Sequence, residues 1–171
     1  MAEMTEREEE FSYLNDPEPH TRKEKEVDVK QTQLQQLARP FPSHLVKKPP
    51  KGKFGDYVPH SAITERLLSI IGPFDMRVVD IIKGPEGHVE GVILEMQFEI
   101  DGRVVTVQEV GDCERPDNWP TQGARLKDAE SDAIKRCAMR IGLGLHLWSQ
   151  GDYFLDRQLA KQEGGGDDET G

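Results

Sequence analysis

Between Leu126 and Trp148 the apolar positions recur at helical spacing. Ala129, Ala133, Ile134, Cys137, Ala138 and Ile141 gather on one side of a wheel of about 3.6 residues per turn, so the spacing predicts an amphipathic helix with that side in a core. Arg136 and Arg140 lie one turn apart beside the small residues, and the wheel puts Lys135 on the outer face with Asp128 and Asp132. Gly142 and Gly144 stop the helix, and LGLHLW resumes as an apolar turn. Upstream, SAITERLLSIIG predicts a shorter helix with Ser61 as N-cap and Gly72 as its end. Residues 76–83, rich in Val and Ile, predict a first strand, and GPEG at 84–87 a turn.

Residues 91–100 alternate apolar and polar, and Asp101-Gly102 is the preferred two-residue hairpin signal before RVVTVQEV. In that register Met96 and Phe98 oppose Val107 and Val105 on a core face, while Glu95, Gln97 and Glu99 oppose Gln108, Thr106 and Val104 on a wet one. The turn-rich GDCERPDNWPTQG joins the sheet to the long helix. The expectation is an α+β unit: a short helix, then a three-stranded antiparallel sheet packed on one long helix.

Composition changes this picture chiefly at the ends. The chain has 171 residues and a formal charge of −10. Residues 1–30 hold ten acids against five bases and residues 155–171 five against two, so 31–154 carries 17 acids and 15 bases. A nearly neutral middle leaves room for a local basic surface. Residues 1–38, poor in large apolar side chains, are expected to be disordered, with at most transient helix over Gln31–Ala38. The domain is expected over 39–155, followed by a flexible acidic tail at 156–171 ending in GGGDDETG. From Arg39 a proline-rich stretch carries Lys47, Lys48, Lys51 and Lys53 with no acid before Asp56, and Phe41, Phe54 and Tyr57 offer anchors or stacking surfaces. Cys113 and Cys137 fit no C-x-x-C pattern, no apolar run approaches a membrane span, and the start is acidic; a reduced, cytoplasmic protein away from membranes is expected.

Candidate chemistry is sparse. No G-x-x-x-x-G-K-[ST] phosphate loop occurs, which removes the class of ATP-hydrolysing recombinases. Glu109, Asp112 and Glu114 are the carboxylates a metal-dependent nuclease would use, although acids after a strand are usually turn chemistry. Acidic ends that capture a protein partner without touching DNA are a further alternative. His60 and His146 lie near apolar segments, where a structural role is the ordinary one. By themselves the cations of the long helix describe a scaffold helix with a solvated face.

The order of elements, with YVPHSAITERLLSIIG leading into strands, then VQEVGD, then K-D-A-x-S-D-A-I-K-R-C-A-M-R-I-G-L-G, resembles the annealing domain of the Rad fifty-two family of single-strand annealing proteins, in a compact phage-type form. The similarity spans about 39–154, and S-D-A-I-K-R followed by Arg140 and the glycines is its most specific part. It implies a β-β-β-α core assembled into an oligomeric ring or helix, with single-stranded DNA in a basic groove. It further implies ATP-independent annealing of complementary strands in homologous recombination and DNA repair, with no enzymatic activity and no cofactor. By position Lys135 and Arg136 match the family's DNA-contacting Lys-Arg pair, Arg140 a basic residue one turn on, and Lys127 a lysine at the helix start. Arg125, Lys47, Lys48, Lys51 and Lys53 complete the candidate DNA-binding set. Ser61 after His60 departs from the family's Arg, and Met76 or Phe74 stands where an aromatic is expected. The implied partners are single-stranded DNA, further copies of the chain, and a phage exonuclease or host single-strand-binding protein, in the cytoplasm of a bacterium or phage-infected host.

Overall fold

The computed structural model describes residues 31–49, 51, 55–149 and 153–164. The expected disorder of 1–30, the acidic tip after 164, Lys53 and Phe54 lie outside them. The described residues belong to one compact unit beginning at Gln31. In chain order its elements are α1 (Gln33–Ala38), α2 (His60–Ile71), β1 (Asp75–Lys83), β2 (Val89–Ile100), β3 (Arg103–Asp112), α3 (Gln122–Arg140) and α4 (Leu155–Gly164). Single 3-10 turns occur at Pro116–Asn118 and Leu145–Leu147. The fold is α+β, with an antiparallel sheet in the order β1-β2-β3.

The hairpin has the register its alternation predicts: Glu95 pairs Gln108, Met96 pairs Val107, Gln97 pairs Thr106 and Phe98 pairs Val105. Asp101 at φ 51° and Gly102 at φ 76° make its tight turn. Val92, Leu94, Met96 and Phe98 are fully enclosed, and α3 closes them off with Ala129, Ala133, Cys137 and Ala138. Small residues on that helix let it lie directly on β2 and β3. β1 extends beyond the helix, and all nine of its residues are exposed.

Four expected boundaries shift. Residues 33–38 form α1, not a disordered lead-in: Thr32 and Gln35 close a capping box, and Leu37 and Ala38 are fully buried. The β-hairpin turn caps the same helix, since the Asp101 carboxylate accepts the Gln33 and Leu34 N–H groups at 2.8 and 3.2 Å. The expected tail from 156 is instead helical as far as Gly164, and α4 is tied to α1 where Gln35 Nε2 donates to the Leu159 carbonyl at 3.1 Å. Helix α2 starts at His60 after Pro59, without the Ser61 side-chain cap. Helix α3 starts four residues before Leu126, because Thr121 accepts the Ala124 N–H.

Candidate nucleic-acid interface

Helix α3 places Arg136 and Arg140 one turn apart over β3, each above a carboxylate. Arg136 donates from Nε to Asp132 Oδ2 at 2.8 Å, and Arg140 donates from Nε to Glu109. Lys135 lies 3.6 Å from the other Asp132 oxygen. Asp132 is therefore not on the outer face expected from the wheel. It is buried, and it also faces the Asp112 backbone N–H at 3.4 Å. A buried carboxylate needs such donors, and here one acid serves two cations. Its hydrogen bond outweighs partial burial and raises the Arg136 pKa further above the usual guanidinium value. The Arg136 guanidinium also lies 5.7 Å from the centre of the Trp148 ring, which is exposed.

The remaining candidate residues divide. Arg125 is committed to the loop before the helix, donating from Nε to the Trp119 carbonyl at 2.9 Å. Lys127 is exposed, but nine positions from Arg136 is about two and a half turns, so it points to the opposite side of α3 and joins no common row. Lys47 and Tyr57 bridge through their backbones at 2.8 and 2.9 Å, and Lys48 reaches Asp56 at 2.9 Å, which folds the basic loop on itself. Lys51 is exposed.

Between this loop, the 3-10 turn and α3 lies an open cavity of about 550 Å³. Tyr57, Trp119 and Trp148 give it aromatic walls, and Lys135 and Arg115 its cations. Asp56, Asp112, Glu114, Asp128 and Asp132 also line it, so acids outnumber bases five to two. The cavity is therefore acid-rich, with Asp112 of β3 and Asp128 and Asp132 of α3 lining it beside Lys135 and Arg115. An excess of carboxylates disfavours phosphate within it. Arg115 and Trp119 were not anticipated. Their signal was the sequence ERPDNW, a cation and an aromatic in one loop, hidden among turn-forming residues.

Glu109 is held by Arg140, and among the described residues no group of three or more His, Cys, Asp or Glu side chains is arranged to hold a metal ion. His146 has a structural contact: its Nε2 accepts the Phe41 N–H at 3.2 Å, and its ring packs between Phe41 and Tyr153. His60 is exposed at the first residue of α2. Among the described residues no helix is long and apolar enough to cross a membrane. No family model matches the chain, and no match to a curated protein was found.

Proposed function

We propose that the chain binds single-stranded DNA and anneals complementary strands without ATP, acting in recombination and repair as a ring or helix of many copies. The observation that carries this reading is the pair Lys135 and Arg136 meeting at Asp132, with Arg140 one turn beyond Arg136 and the Trp148 ring beside Arg136. Arg140 leaves 60% of its side chain exposed, so its charge is available to a phosphate despite the ion pair. Annealing makes and breaks no covalent bond. The protein has to neutralise phosphates, hold each strand extended and leave base edges open, which cations and a stacking ring accomplish. The sequence resemblance supports the same residues.

One copy offers few cations, so affinity depends on repetition. The uncovered strand β1 supports self-association: Met76, Val78 and Ile81 pair with Met96, Leu94 and Val92, hence face the core side of the sheet, yet lie open where α3 ends. An exposed apolar strand of this length is normally covered by another chain.

The acid excess of the cavity favours a second reading, in which it receives a basic segment of a partner protein. Titrating a labelled oligothymidylate into wild type and into the double variant Lys135→Ala with Arg136→Ala separates the two. Annealing requires tight wild-type binding that weakens steeply with salt, each phosphate contact contributing about 0.7 to the logarithmic slope, and a large loss in the variant. Wild-type affinity indifferent to salt would leave the basic-segment reading.

A further inference from the structure

We infer that Glu109 positions Arg140 for phosphate, rather than merely cancelling its charge; the inference rests on the single-strand reading above. Arg136 and Arg140 are held in the same way. Glu109 and Asp132 engage Arg140 and Arg136 at Nε, and no hydrogen bond among the described residues engages the terminal nitrogens of either guanidinium. A guanidinium fixed along its Nε edge keeps its two Nη groups as a preset fork, the geometry that grips a phosphate through two parallel hydrogen bonds. An unheld arginine would lose rotamer freedom on binding, at a cost that the carboxylate has already met in the free protein.

The placement of Glu109 fits this role. It comes from β3, on the core side shared by Val105 and Val107, and only 16% of its side chain is exposed beneath Arg140. A carboxylate so enclosed is itself a poor competitor for solvent cations, but it is fixed by the strand and defines where the arginine can lie. Asp132 does the same within the helix, its Oδ2 also accepting the Asp112 N–H at 3.4 Å. Asp132, which orients Arg136, is also one of the five acids lining the cavity, while Glu109 lies outside that lining.

Charge and reach can be varied independently. Glu109→Gln removes the charge and keeps an oxygen that accepts the Nε–H. Glu109→Asp keeps the charge and withdraws the carboxylate by one methylene, about 1.5 Å. Binding of a labelled oligothymidylate is measured by anisotropy over a series of salt concentrations, with thermal melts as the folding control. Positioning predicts that Glu109→Gln stays near wild-type affinity and slope, while Glu109→Asp binds at least about three-fold more weakly with a slope shallower by up to about 0.7. Tighter binding by Glu109→Gln with Glu109→Asp unchanged would show a neutralising acid and overturn the inference, as would equal affinity for all three proteins. Wild-type protein that does not bind at low salt would instead remove the single-strand reading on which the inference stands.

Discussion

Gly111 of β3 lies directly beneath Ala129 of α3. A Cβ at Gly111 would fall 2.1 Å from the Ala129 carbonyl oxygen and 2.4 Å from the Ala133 nitrogen, both backbone atoms that cannot turn aside. This close approach lets the helix seat on the sheet and sets how high Arg136 and Arg140 stand above Glu109. Gly111→Ala is expected to destabilise the fold by about 3 kcal/mol or more, since the clash moves a helix rather than a side chain. Urea unfolding monitored by circular dichroism checks this. A midpoint equal to wild type would mean that the helix sits further from β3.

Strand β1 predicts the behaviour of the assembly. Val78→Glu with Ile81→Glu puts two charges on a face that is already open in the single chain, so folding should be nearly unaffected. Light scattering should show a large wild-type mass falling to that of one or a few copies. A double variant that keeps the wild-type mass would place self-association elsewhere.

The hairpin and the core face of α3 were legible because both depend on local periodicity: alternation around Asp101-Gly102 fixes one register, and the small residues Ala129, Ala133 and Cys137 allow one seat. Helix α1 was not. Six residues are too few for a periodic pattern, and its first turn is capped by Asp101, far away in the sequence. The site was legible in part. Arg136 and Arg140 stand one turn apart as the spacing predicts, and Lys135 meets Arg136 at Asp132. Yet Asp132 turns inward to meet Arg136 and the Asp112 N–H, a choice set by β3 and invisible on a helical wheel. Lys127 was carried into the set by resemblance, although its spacing from Arg136 places it on the other side.

His146 makes the fold sensitive to acid. Burial, and then Arg66, lowers its pKa below the usual imidazole range, with Asp156 opposing them. Its Nε2 accepts the Phe41 N–H, so the neutral ring carries its proton on Nδ1, which is buried without a partner among the described residues. A lowered folded value means that stability is full above about pH 6.5 and falls as the pH drops through the folded pKa. The urea midpoint should decline as the pH falls below about 6.5, and His146→Gln should flatten that part of the profile. An unchanged slope in the variant would assign the loss to other groups.

Cys137 should be inert in the folded protein. Its thiol is fully buried, 3.9 Å from the Leu94 carbonyl, and burial, with Glu109 second, pushes its pKa up to about 11. At pH 8 roughly one molecule in a thousand carries the thiolate, so a thiol reagent should modify Cys137 only after unfolding. Because the folded value is raised, stability is full below the ordinary thiol range and is lost as pH climbs from about 9 toward 11. Tyr153, pushed up to about 12 mainly by burial, acts in the same direction at higher pH. Rapid modification of Cys137 in native buffer at pH 8 would show that α3 opens away from β2.

The most direct test is the rate at which two complementary labelled oligonucleotides pair when mixed with the wild-type chain in low salt, with neither nucleotide nor metal ion present. Cations repeated along an assembly should bring the strands together and accelerate pairing well above the protein-free rate, and substitution of Lys135 and Arg136 by alanine should abolish most of the gain. Pairing no faster with the protein than without it, under conditions where the chain is folded and associated, would contradict the account.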